Sequence, residues 1–431
     1  MIEITARLVR EQSAVFLCGE VVECLITFSN PSLPEHRISQ SNSDILENLA
    51  WATVQIHCYC NSTLQERGAV GGGSIGSGNA TGVDGGGGHT SNSVTVTALP
   101  INKNIGSGST SLNASNQLKG EVLQSSEPKI LFCELRLSPG ESRQFMFRET
   151  LPTNTPPTYR GVMVKYYYKI TVATQRVGST VQALHIPIRV LPLPPINCSD
   201  ETITLNDESN EDLAPNNPFL EKKKAPSKIE YALHYLQNIT ARRRPNFYLI
   251  SNKRGRVGRF CLFKPIYKLG EDIVGTLDFS CGTVKCVQLS VTLQCEEIVK
   301  KKESEKPNST STNQQEKDAA SSATVGRITN YTKHHEVCLG LLQTQMILPI
   351  PLYVTPTFET DLVDVKWRLH FQFVTSTNDE LTVVNNPESL EWQAPTDISI
   401  ETMIWNLPVT LYPTAPVQIP QPSGTFVLNM K

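Results

Sequence analysis

Along this chain, apolar side chains return at every second position in short runs rich in Val, Ile and aromatics, at 54–59, 131–137, 162–172, 184–191, 284–293, 363–374 and 404–411. Successive side chains of a strand point to opposite faces, so a period of two predicts half-buried β-strands. Turn residues such as Ser138-Pro139-Gly140 and Asn378-Asp379 separate many of them. One segment departs from this pattern. Over 228–242, KIEYALHYLQNITAR, the residues Ile229, Leu233, Leu236 and Ile239 or Thr240 fall at helical spacing. The expectation is an all-β protein with one helix.

Beneath the pattern lies a repeat. Phe16-Leu-Cys-Gly19-Glu20-Val-Val22-Glu-Cys24-Leu-Ile26-Thr-Phe28 returns 251 residues later as Tyr267-Lys-Leu-Gly270-Glu271-Asp-Ile273-Val-Gly275-Thr-Leu277-Asp-Phe279. An aromatic, a Gly-Glu turn and then apolar residues at alternate positions describe a turn feeding a strand. Three further landmarks recur in the same order. Val54-Gln-Ile56-His-Cys58 is echoed by Val291-Thr-Leu293-Gln-Cys295, and Ile186-Pro187-Ile188 by Leu407-Pro408-Val409. Between these, Leu151-Pro152, Pro157-Thr158 and Val164-Lys165-Tyr166 are echoed by Ile350-Pro351, Pro356-Thr357 and Val365-Lys366-Trp367.

The repeat predicts two tandem antiparallel β-sandwich domains, over 1–195 and 246–415. A linker at 196–245 holds the helix of about 228–242, and 416–431 reads as a flexible tail. The segment 61–126 holds 14 of the 26 glycines, 197–227 is acidic, then Pro-rich, then basic, and 300–324 is charged and polar. Such compositions bury too little apolar surface to offset chain entropy and predict disordered insertions.

Charge and chemistry narrow the picture. With 39 basic and 41 acidic residues the net charge is −2, which excludes a generally nucleic-acid-binding composition. The first twenty residues lack the basic start and apolar middle of a signal peptide, so a cytosolic chain is expected. The most apolar stretch, 339–352, is broken by Gln343, Gln345 and Pro349 and predicts no membrane crossing. The eleven cysteines are scattered and expected to be reduced.

No catalytic residue, cofactor or metal site is expected. Gly72-Gly-Ser74-Ile-Gly76 and the overlapping Gly71-Gly-Gly73-Ser-Ile-Gly76 match nucleophile-elbow and dinucleotide patterns, but lie in a glycine tract without strand or helix context. Cys58-x-Cys60, Cys281-x4-Cys286 and His334-His335-x2-Cys338 offer ligand types without the spacing of a zinc knuckle. Glu20 and Glu271 recur in both halves, which favours a turn role over catalysis. Trp51, Trp367, Trp392 and Trp405 are read as core residues.

One charged feature stands out: Arg242, Arg243 and Arg244 after the helix, then Lys253, Arg254, Arg256, Arg259 and Lys264. Cations there complement the helix dipole or form a solvated or interdomain face. The functional alternative is a contact for anionic lipid headgroups or for an acidic protein surface. Gly255 and Gly258 suit a tight hairpin turn presenting the arginines on one side.

The repeated Gly-Glu strand, the Pro-Thr segments and the Val-Lys-Tyr/Trp strands resemble the two-domain arrestin fold. More specifically, Leu49-Ala-Trp-Ala, Pro128-Lys-Ile-Leu-Phe-Cys-Glu-Leu-Arg-Leu, 142–169, Arg254-Gly-Arg-Val-Gly-Arg-Phe through Gly275, Val365-Lys-Trp-Arg-Leu-His-Phe and Trp405-Asn-Leu-Pro resemble the reduced-growth-phenotype family. That resemblance covers nearly everything outside the low-complexity segments. It implies the smaller subunit of a Ric/Rgp-type guanine-nucleotide exchange complex, partnered by a larger β-propeller-containing Ric-type subunit. The implied target is the Rab-six GTPase, in endosome-to-Golgi and intra-Golgi traffic, with the protein in the cytosol and peripherally on the Golgi membrane. A free-standing arrestin-type cargo or sorting adaptor is the competing reading, and a lipid-binding module using the arginines is another.

Overall fold

The computed structural model describes residues 2–10, 12–31, 46–62, 121–193, 228–300, 325–377, 397–421 and 424–430. The segments 63–120, 194–227 and 301–324, and with them most of the predicted insertions, lie outside the described residues, as does Trp392.

The first half contributes β1 (Ile2–Leu8), β2 (Val15–Leu17), β3 (Val21–Ser29), β4 (Glu47–Ser62), β5 (Glu121–Ser125), β6 (Lys129–Leu137), β7 (Ser142–Thr150), β8 (Tyr159–Arg160), β9 (Val164–Arg176) and β10 (Gln182–Leu191). The helix α1 (Lys228–Ala241) follows. The second half contributes β11 (Asn246–Asn252), β12 (Gly255–Leu262), β13 (Ile266–Lys268), β14 (Asp272–Asp278), β15 (Cys286–Val299), β16 (Val325–Val337), β17 (Gln343–Pro349), β18 (Phe358–Glu359), β19 (Val363–Ser376) and β20 (Ile400–Tyr412). A 3-10 turn at Pro416–Gln418 and β21 (Phe426–Met430) close the chain.

The two halves repeat one topology. A four-stranded sheet, β21-β1-β3-β7, faces β2-β10-β9-β4-β5, with β6 also on β4 and β8 on β9. In the second half β11-β12-β14-β17 faces β13-β20-β19-β15-β16, with β18 on β19. Each pair encloses a core. Ile4, Val22, Ile26 and Phe28 meet Val54, Ile56, Ile170 and Ile186 in the first; Phe260, Ile273 and Leu277 meet Leu293, Trp367, Leu369 and Phe371 in the second. The alternation that predicted β3 and β14 is the alternation that fills these cores.

The repeated turn works identically in both halves. Gly19 and Gly270 each take φ +84°, a left-handed conformation that favours glycine. The Glu20 carboxylate accepts the Leu17 N–H at 2.8 Å, and the Glu271 carboxylate accepts the Lys268 N–H at 2.9 Å. Both acids brace a turn, as their recurrence suggested.

Two expectations need correction. The tail from Pro416 is not free: β21 pairs antiparallel with β1, Ile2 opposite Met430 and Ala6 opposite Phe426. Phe426, Leu428 and Met430 alternate inward onto the first core, a period-two signal hidden in the sequence behind prolines. β21 thereby fills in the first half the place that β11 fills in the second. The expected insertion also ends early, since Glu121–Ser125 pairs with β4, and the Asn61 and Ser62 assigned to it belong to that strand.

Contacts between the halves are both apolar and polar: Cys60, Tyr159, Val164 and Tyr166 join the second core, with Tyr159 edge-on to Phe358 at 5.2 Å between ring centroids. The buried Glu297 carboxylate accepts the N–H groups of Val162, Met163 and Val164 at 2.9, 3.0 and 2.8 Å. The Arg189 guanidinium donates to the Leu352 and Val354 carbonyls at 3.0 and 2.8 Å. Ile229 and Leu233 of α1 pack on Val15, Leu17, Leu191 and Ile419, so the helix is seated on the first half and the returning tail.

Candidate partner-binding surface

The strands β11 and β12 form the hairpin that carries the predicted cations. Asn252 Oδ1 accepts the N–H groups of Arg254 and Gly255, at 2.9 and 3.1 Å, and closes the turn at Lys253-Arg254. Gly258 is not in the turn. It lies within β12 opposite Ile250, where the register slips: Ser251 pairs with Arg256 but Ile250 with Gly258, leaving Val257 as an extra residue. One extra residue reverses the side-chain phase, so Arg256 and Arg259, three apart, both point outward while Val257 and Phe260 are buried.

The structure divides the predicted cluster rather than gathering it. Arg242, Arg243 and Arg244 stand exposed at the base of the hairpin, where the Arg244 N–H donates to the Phe263 carbonyl. Lys253, Arg254 and Arg256 stand at its tip. The seven residues of β11 between them span about 23 Å at ~3.3 Å per residue.

Individual roles also differ. Arg254 donates to the Ser376 carbonyl at 3.0 Å and ties the tip to the end of β19. Arg259 pairs with Asp278 at 3.1 Å and lies over the Phe247 ring at 5.7 Å. The Ser280 hydroxyl and N–H hold the Asp278 carboxyl below its usual range, with Arg259 adding to them. Lys264, not the arginine triplet, meets the helix C-terminus, donating to the Thr240 carbonyl at 2.9 Å. Among the described residues Arg242, Arg243, Arg244, Lys253 and Arg256 have no acidic partner.

Between the two basic ends runs an apolar stripe that periodicity did not single out. Phe247 is 65% exposed and Leu249 59% exposed, both on the outer face of β11. Among the described residues β11 pairs with β12 alone, so its other edge is open. Beside the stripe a cavity of about 650 Å³ is lined by Phe247, Arg259, Cys261, Thr276 and Asp278. The composition of β11, NFYLISN, held the signal: an apolar edge strand without the Lys or Pro that usually guards one.

Among the described residues the cysteine and tryptophan candidates fall on the strands or in the turns between them. Burial pushes the thiols of Cys24, Cys58, Cys60 and Cys295 up to about 12, which keeps them protonated and unreactive. Cys286 and Cys338 come together as a thiol pair, one raised and the other lowered by their mutual hydrogen bond. Among the described residues no three His, Cys, Asp or Glu side chains converge on a metal position. Trp367 is 2% exposed and donates to the Thr355 carbonyl, while Trp51 and Trp405 are half-buried.

Tandem β-sandwiches braced by backbone-directed ions thus carry an open apolar strand edge. The chain belongs to the Rgp1 family, whose model matches residues 38–206 and 196–376. It is 37% identical over 423 residues to the human "RAB6A-GEF complex partner protein 2", covering 96% of both chains. The protein of that name from Bos taurus is 37% identical over 434 residues, covering 99% of this chain and 95% of the relative.

Proposed function

We propose that this chain is the smaller, non-catalytic subunit of a guanine-nucleotide exchange complex acting on a Rab-six GTPase. The observation that carries the reading is identity running nearly end to end with a protein named as a partner in such a complex. Exchange needs no covalent chemistry. A complex that binds the nucleotide-free GTPase more tightly than the loaded one displaces the nucleotide by differential affinity alone. A scaffold of sheets and open edges contributes to such an interface by contact area and strand pairing.

In this reading the larger subunit is β-propeller-containing, the two sandwiches are arrestin-like, and the complex works from the cytosol on the Golgi membrane surface. The working division is a first unit over 1–195 completed by β21, a linker over 196–245 and a second unit over 246–415. Among the described residues no helix is long and apolar enough to cross a membrane.

The test is a tagged purification of the full chain at moderate salt, followed by release of labelled GDP from the GTPase. The expected result is one large propeller-containing subunit at equal stoichiometry, with release accelerated by the complex and not by this chain alone. Elution without a partner, or with receptor tails instead, would replace the reading by the free-standing adaptor.

A further inference from the structure

The open edge of β11 combines three properties that point to one kind of occupant. Its backbone donors and acceptors on that side lack strand partners among the described residues. Its outward side chains, Phe247 and Leu249, are exposed apolar groups lying along that edge, on the face that also carries the exposed Ile347 of β17. Unpaired cations flank it, Arg242, Arg243 and Arg244 at one end and Lys253 and Arg256 at the other, about 23 Å apart along the strand. We infer that β11 is a docking strand for an extended segment of the larger subunit, apolar in its middle and acidic at both ends, which adds to the sheet beside β11.

The geometry favours a peptide over a lipid surface. A membrane satisfies exposed cations and apolar side chains, but hydrocarbon offers nothing to the free N–H and C=O groups of a strand edge, whereas an added strand pairs with them. The division of the cations to the two ends follows the axis of a strand rather than the plane of a headgroup layer. The Val257 bulge contributes by keeping both Arg256 and Arg259 outward. Inward-facing Tyr248 packs on Trp405 at 5.2 Å between ring centroids, which anchors β11 to the second sheet and holds its edge in register for pairing.

The inference rests on the exchange-complex reading, and its test separates the two. Hydrogen exchange is followed at the amides of 246–252 in the full chain alone, in the purified complex, and with phosphatidylserine-containing vesicles. The complex should protect these amides, and vesicles should not. The exposed pair Phe247→Lys with Leu249→Lys should leave the melting temperature unchanged and weaken the complex about tenfold or more, as expected for losing two buried apolar side chains. Reversing charge at either end, Arg242→Glu with Arg243→Glu or Lys253→Glu with Arg256→Glu, should weaken it separately and reduce its salt dependence. A bound larger subunit with unchanged exchange at 246–252 would overturn the docking strand and leave the exchange-complex reading standing. Protection by vesicles instead of the subunit would reassign the edge to lipid. Absence of any bound subunit would remove both.

Discussion

Period two along β15 puts Glu297 in phase with the buried Leu293 and Cys295 and Glu296 out of phase, but nothing in the sequence says what the Glu297 carboxylate meets. The structure sends Glu297 into the seam between the halves, where one carboxylate satisfies three consecutive backbone N–H groups. Hydrogen bonds to an ionised acceptor are worth about 1.5–3 kcal/mol each in stability when one partner is lost. Glu297→Gln, which keeps the shape and loses the charge, is therefore expected to lower the unfolding free energy measured by urea titration by that order. The loop it grips leaves no room for a side chain at Gly161, where a Cβ would stand 2.3 Å from Glu297 Oε1 and 2.6 Å from the Val164 carbonyl. Gly161→Ala should destabilise the same seam, and the double variant should cost less than the sum, because both changes break one contact. His57 is another residue whose position only packing reveals. It is buried on β4, neither ring nitrogen has a hydrogen-bond partner, and burial, helped by His185, lowers it to about 4. The unfolded chain takes up this proton below about pH 6.5, while the folded chain resists until about 4. Its contribution is thus complete above about 6.5 and is lost as pH falls through that window. Melting temperatures measured across it should fall less steeply for His57→Gln than for the wild type.

At the scale of elements, the long strands were legible because two buried faces of a sandwich impose a strict period of two. β9, β15, β19 and β20 each contain a run that alternation identified. The edge strands β7, β11, β16 and β17 were not identified, because an edge strand tolerates polar residues, and the interior strands β1 and β12 were missed as well. β21 is the clearest case: its inward Phe426, Leu428 and Met430 make sense only once β1 lies beside them. Deleting 424–431 should expose the β1 edge, lower the melting temperature and raise amide exchange over 2–8. An unchanged melting temperature would show that β21 adds nothing to the first sheet. The hairpin gives the converse lesson. A tight turn was expected at Gly255 and Gly258; it falls at Lys253-Arg254 with Gly258 inside β12, and the bulge at Val257, which decides where Arg256 and Arg259 point, depends on pairing with β11 and later with β14.

Across the whole molecule, the internal repeat announced two similar bodies and the structure supplies their relation. Links between distant parts of the chain include the Glu297 clasp, the Arg189 bridge, the Tyr159–Phe358 contact, and α1 seated beside the returning tail. Each joins residues more than a hundred positions apart or elements from opposite ends of the sequence, where no local pattern reaches. The sequence by itself determined the all-β class, the helix at α1 and the duplicated topology, since these follow from periodicity and turn chemistry. Tertiary structure alone decided that a run of arginines becomes two separated ends, that an apolar strand between them keeps an open edge, and that the last strand completes the first sheet. The physical reason is shared by all three: a strand's neighbours are chosen by hydrogen bonding and burial through space, and side-chain direction changes with every residue of register.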